Sequence, residues 1–177
     1  QGGILGEDGA HTRTTTYYDY NEKGQLIGAR GEGWTETWTT VFHDPDGNGQ
    51  GEYRVVHREG TRFTQTYKVM QGRGVITSQT TVTDETRRDG VREQQTTTMR
   101  YFYNEKGQLT GGESSGTFTT TEPAAADGSV AAKTTTGTSR QTFTVLHGKL
   151  LMATSTTASG SDPAVTTTYT YDSVGRL

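Results

Sequence analysis

At 177 residues the chain has room for one domain or two small, similar ones. Only 28% of it is hydrophobic and roughly one residue in five is threonine, which predicts many strands over a thin core. A net charge of −3 with both signs interspersed gives no basic patch for nucleic acid, no apolar run is long enough to span a bilayer, and the absence of cysteine excludes disulfides.

In chain order, residues 1–11 read as a flexible, Gly-rich N-terminal arm with one apolar spot at Ile4-Leu5. The start at Gln1 fits removal of a signal peptide or a piece of a longer protein. Residues 12–20 form the first predicted strand, with Thr14, Thr16, Tyr18 and Tyr20 on one face. A turn at 21–24 leads into a long return strand. There Trp34, Trp38 and Phe42 share a face at strand period and are expected to supply much of the core of the first half. The alternative for Trp34 and Trp38 is an exposed aromatic stripe that contacts glycan.

Residues 44–52 hold the densest set of candidate ligands. Asp44, Asp46 and Asn48 alternate around glycines, Gln50 offers a backbone carbonyl and Glu52 follows. Hard oxygen donors in that pattern suit a calcium ion, although the distal glutamate of an EF-hand is missing from its place. The competing reading is a Gly-rich hairpin loop that binds nothing, so the expected cofactor is either none or calcium. Beyond it come one long strand or two, broken at Glu59-Gly60, with Phe63, Tyr67 and Val69 on one face. A turn at 71–74, a strand over 75–86 and an Asp89-Gly90 turn follow. From Thr96 the plan repeats, with shorter strands and denser threonine.

The repeat is explicit. Tyr18-Asp19-Tyr20-Asn21-Glu22-Lys23-Gly24-Gln25-Leu26 returns as Tyr101-Phe102-Tyr103-Asn104-Glu105-Lys106-Gly107-Gln108-Leu109, and again as Tyr169-Thr170-Tyr171-Asp172-Ser173-Val174-Gly175-Arg176-Leu177. Each copy follows a threonine cluster, at 14–16, 96–98 and 166–168. Two tyrosines on one strand face, Asn or Asp three residues before Gly, and a leucine opening the next strand spell strand, tight turn, strand. A second internal match, Gln65-Thr66-Tyr67-Lys68-Val69-Met70-Gln71-Gly72-Arg73 with Gln141-Thr142-Phe143-Thr144-Val145-Leu146-His147-Gly148-Lys149, supports the same long period.

The expected fold is therefore all-β: an antiparallel meander of two tandem four-stranded units, 12–95 and 96–164, forming a sandwich or barrel-like body. Residues 165–177 add one strand, the start of a third unit. The Tyr-x-Tyr-(Asn/Asp)-x-x-Gly-x-Leu motif resembles the YD, or RHS, repeat of large bacterial surface and toxin-shell proteins and of animal teneurins. The resemblance covers about ten residues per copy, and the copies lie farther apart than the family's do. It implies a β-built surface or toxin-associated protein with a spiral shell.

No nucleophile elbow, phosphate loop or metalloprotease motif is present. His11, His43, His57 and His147 stand singly, and nothing pairs Glu36, Glu52 or Glu59 as glycosidase carboxylates, so no enzyme is expected. Three accounts stand. The leading one is a secreted, extracellular structural subunit, bacterial by its Thr, Ser and Gly usage, that assembles head-to-tail with itself into a fibre or surface appendage. The strand carrying Val165, Thr167, Tyr169, Tyr171 and Leu177, or the arm 2–12, would complete a neighbour's sheet. Its threonine clusters would coat the exterior and are candidates for O-linked glycan. The others are a fragment of a larger YD-repeat-like protein and a glycan-binding β module.

Overall fold

The computed structural model describes residues 8–45 and 47–177. Nine strands follow one another in sequence: β1 (Gly9–Tyr20), β2 (Leu26–His43), β3 (Glu52–Met70), β4 (Arg73–Thr86), β5 (Arg92–Tyr103), β6 (Leu109–Glu122), β7 (Lys133–Leu146), β8 (Lys149–Ser159) and β9 (Val165–Thr168). They form one antiparallel sheet in the order of the chain, with β1 and β9 at its edges. The expected antiparallel meander is there; the sandwich or barrel-like body is not. The sheet stays open in a single layer. Threonine and glycine make this layer and leave too few apolar side chains to cover a second.

Several boundaries differ from the sequence expectation. Residues 9–11 of the expected arm belong to β1, where Gly9 faces Trp38; 1–7 lie outside the described residues. β3 runs unbroken through Glu59-Gly60. The expected division at 95/96 falls inside β5, and the ladders on both sides of β5 continue through it. The last strand is Val165–Thr168 alone, and the residues after it turn the chain.

Residues directly opposite in a ladder share a face. One face carries Trp34 and Trp38 with most of the charged side chains. The other carries Tyr18, Tyr20, Tyr67, Tyr101, Tyr103, Tyr169 and Tyr171. Neither face is deeply covered: among the described residues no side chain is under 2% exposed, and Ala29 at 9% is the most buried apolar one. Trp34, at 38% exposed, and Phe42, at 45%, lie on an open surface and supply no enclosed core.

The sheet compensates within its own plane. Across the ladders glycines stand opposite aromatic rings: Gly9 and Trp38, Gly33 and Phe63, Gly111 and Phe102, Gly112 and Phe143, Gly137 and Phe118. At Gly9, Gly33 and Gly137 the ring lies over the missing side chain and shields backbone that one layer would leave wet. Threonine pairs add hydroxyl contacts between neighbours, as at Thr80–Thr98 (3.0 Å), Thr142–Thr154 (2.6 Å) and Thr156–Thr166 (2.9 Å). Pairs of this kind contribute about 0.2–1 kcal/mol each.

Four β-bulges line up along one end of the sheet. Each lies beside an odd-to-even hairpin, leaving Ile27, Thr77, Thr110 and Ala153 without a partner in their ladders. A bulge bends its strand and sharpens the local twist, so this end of the sheet is shaped repeatedly in the same way.

Candidate functional site

The three motif copies meet at that bulged end. The Asn21 amide donates to Gln25 O (3.0 Å) and the Gly24 amide to Asn21 O (2.9 Å). Asn104 and Gly107 repeat these bonds at 3.0 and 2.9 Å, and Asp172 and Gly175 at 2.9 and 3.0 Å. In each copy the side-chain Oδ1 also accepts two amides: from Lys23 and Gln25, from Lys106 and Gln108, from Val174 and Arg176. Gly24, Gly107 and Gly175 hold φ of 74°, 72° and 84°, a conformation that a Cβ would strain. The third turn is seated on the β7–β8 hairpin, where His147 Nε2 donates to Ser173 O (2.9 Å). An added Cβ on Gly175 would lie 3.5 Å from Leu146 and 3.6 Å from Leu151.

The second tyrosine of the motif locks the second and third turns to the hairpin before each. Tyr103 donates its hydroxyl to Ile76 O (2.9 Å), and Tyr171 donates to Met152 O (2.8 Å). Both acceptors immediately precede the bulged residues Thr77 and Ala153. Burial, and then the nearby Tyr101, raise the Tyr103 phenol above the ordinary tyrosine value. Tyr20 occupies the same motif position on edge strand β1 and is 60% exposed.

Asn in two turns and Asp in the third separates them by pH. Hydrogen bonds from Arg176, first its backbone amide and then its side chain, hold the Asp172 carboxyl below the usual aspartate range. A folded pKa below the unfolded one stabilises fully above the unfolded value and is lost as pH falls through the folded one. In an acid titration followed by NMR, the Val174 and Arg176 amides should shift below the ordinary aspartate range while those of Lys23 and Lys106 stay still. A midpoint for Val174 at the ordinary aspartate value would contradict this.

The candidate assembly residues fall into two groups. Val165 and Thr167 lie in β9 and pair with Thr157 and Ser155 of the same chain. Tyr169 continues that edge by donating its amide to Ala153 O (2.9 Å), Tyr171 is the lock, and Leu177 follows the turn at the place of Leu26 and Leu109.

The other candidates are dispersed. In the loop between β2 and β3 the Asp44 carboxylate accepts the Gly49 amide (2.7 Å), Asn48 Oδ1 accepts the Gln50 amide (2.8 Å) and Glu52 pairs with Arg54. Asp46 lies outside the described residues. The Asp44 and Asn48 oxygens cap amides of the loop itself, and among the described residues no group of three or more His, Cys, Asp or Glu is placed to hold a metal. Trp34 and Trp38 share a face, but Glu36 lies between them, paired with Arg58. Trp38 meets His11 edge-on at 5.0 Å and lies over Gly9. Trp34 borders a shallow groove with Arg13, Tyr17, Glu32 and Arg62. Next to it Arg92 binds Asp84 with two hydrogen bonds and lowers its carboxyl pKa, a surface pairing that orders the face.

The tyrosine-to-bulge lock is the structural feature of this end of the sheet that the sequence alone did not reveal. Its trace is the recurrence of a second tyrosine in each motif together with an aliphatic-small pair, Ile76-Thr77 and Met152-Ala153, one hairpin earlier. No family model, curated protein or solved structure matches this chain. Among the described residues no helix is long and apolar enough to cross a membrane.

Proposed function

We propose that this chain is a structural module of a secreted or cell-surface bacterial protein, and that its work is to extend a single-layer antiparallel sheet. One observation carries the reading: turn 172–176 repeats turns 21–25 and 104–108 bond for bond on an edge strand. After each earlier turn a strand pairs back along the motif strand, Leu26 opposite Tyr20 and Leu109 opposite Tyr103. In the third copy the bond from the Asp172 amide to Arg176 O turns the backbone in the same way. Such geometry suits a stretch of wall in a larger YD-repeat-like surface or toxin-associated protein. It also suits a subunit of a fibre built by strand addition.

A graft tests the reading. Replacing Leu177 with a second copy of Leu109–Glu122 should add a folded strand beside β9. Amide exchange at Val165–Thr168 should slow at least about tenfold, as expected when a fraying edge becomes an internal strand. Unchanged exchange there, with random-coil signals from the appended residues, would remove the support for sheet extension.

A further inference from the structure

We infer that a second copy of this chain docks its strand β1 on the edge of β8, in the place held by β9, so that β9 is an internal plug against head-to-tail assembly. The inference rests on the sheet-extension reading and names its partner.

The repeats specify the contact. β5 lies on β4 with Ser78 opposite Arg100, and β9 lies on β8 with Thr154 opposite Thr168. Aligning the motif tyrosines puts Tyr17 of β1 at the place of Arg100 and Thr168. β1 of a second copy would then set Tyr17 opposite Thr154, Thr15 opposite Thr156 and Thr14 opposite Thr157. Three specific contacts of the internal joints are available to it. Thr15 stands where Thr98 and Thr166 make hydroxyl contacts with Thr80 and Thr156. Tyr18 stands where Tyr169 donates its amide to Ala153 O. Tyr20 stands where Tyr103 and Tyr171 donate to the carbonyl before a bulge.

Direction favours this joint over others. β1 and β9 run the same way in a nine-strand meander, so adding one copy's β1 to another's β9 by translation would force a parallel pair into an antiparallel sheet. Placing β1 on β8 keeps the alternation and carries the sheet on through the second copy's β2. Each copy has one such donor edge and one acceptor edge, so the contact is heterologous and propagates.

Exposure and pairing length point the same way. Tyr18 is 57% and Tyr20 60% exposed on β1, whereas their counterparts Tyr101, Tyr103, Tyr169 and Tyr171 are half-buried. β9 covers β8 only at Thr154–Thr157, leaving Ala158 and Ser159 for Arg13 and Thr12 of an incoming strand. What keeps β9 in place is its tether. A short linker gives an effective concentration of about 1 mM, roughly a hundredfold above a chain at about 10 µM.

The test is a register-specific cross-link, which the absence of native cysteine makes clean. Chains carrying Thr14→Cys and chains carrying Thr157→Cys, both ending at Ala164, are mixed under mild oxidation. Directly opposed strand residues fall within disulfide reach. Linked dimers should form at least about tenfold faster than with the full-length chains, and adding Tyr20→Phe should lower the yield. Equal yields with Ser155→Cys in place of Thr157→Cys would mean unspecific edge contact and overturn the assignment. So would no cross-link from a truncated chain that keeps its strand signal by circular dichroism. Should the truncated chain not fold, full-length chains carrying both substitutions give the answer. A ladder of linked species that grows with concentration supports the exchange, and its absence after long incubation at about 1 mM, the tether's own effective concentration, refutes it. Failure here with success of the β6 graft would remove the second copy as partner and leave sheet extension standing.

Discussion

Gly137→Val should be among the most damaging single substitutions in this chain, at about 3 kcal/mol, near the upper end of the overpacking range. A Cβ at 137 would lie 2.2 Å from Phe118 Cζ and 2.5 Å from the backbone oxygen of Ala158. The ring could swing out and uncover the backbone it shields, but the carbonyl belongs to the β8 ladder and cannot move without breaking it. Gly33→Val should behave alike, with Phe63 at 2.5 Å and Arg13 O at 2.7 Å. Gly60→Ala is the contrast, because its Cβ would meet nothing closer than Asp84 O at 3.9 Å. That change should be neutral or stabilise by up to about 1 kcal/mol through the unfolded chain. Thermal unfolding of the three variants checks the order; a tolerated Gly137→Val would show that the glycine-aromatic pairs are incidental.

The motif tyrosines should give unequal results from equal sequence. Tyr103→Phe leaves Ile76 O beside its bulge without the hydroxyl and should cost about 1–2 kcal/mol. Tyr103→Ala also removes the half-buried ring and should cost about 3 kcal/mol. Tyr20→Phe should leave the stability of a single chain unchanged, since its phenol lies on an outer edge strand. Denaturant unfolding of the three proteins separates these expectations. A Tyr20→Phe effect as large as that of Tyr103→Phe would show that the hydroxyl matters even without a preceding hairpin to bond, and would overturn the joint between hairpins as the cause.

These contrasts mark what the sequence could and could not show. Strand positions and turns were legible because alternation and the Asn/Asp-to-Gly spacing act locally, and all three motif turns fold alike. The shared face of Trp34 and Trp38 was legible too. That no second layer covers it was not, because period-two patterning says which residues share a face and nothing about what lies opposite. Reading a strand on to Leu177 overran β9, although Asp172 and Gly175 carried the same turn chemistry as Asn21 and Gly24. The glycine-aromatic pairs and the Tyr103 and Tyr171 locks depend on ladder register and bulge position, which no single stretch encodes. The candidate calcium loop and the aromatic stripe drew attention through residue type, while the edges that matter for the proposed role are made of threonine backbone.

The chain-ordered ladder has an energetic corollary. Each strand leans almost wholly on the strands just before and after it. Cooperativity then passes from neighbour to neighbour as in a solenoid, and melting proceeds as unzipping from β1 and β9 inward. Stability in such a ribbon is set by its length and by what clamps its ends. A strand added at an edge moves the fraying terminus outward and makes the strand it covers internal, so a ribbon of this kind becomes more secure as it lengthens.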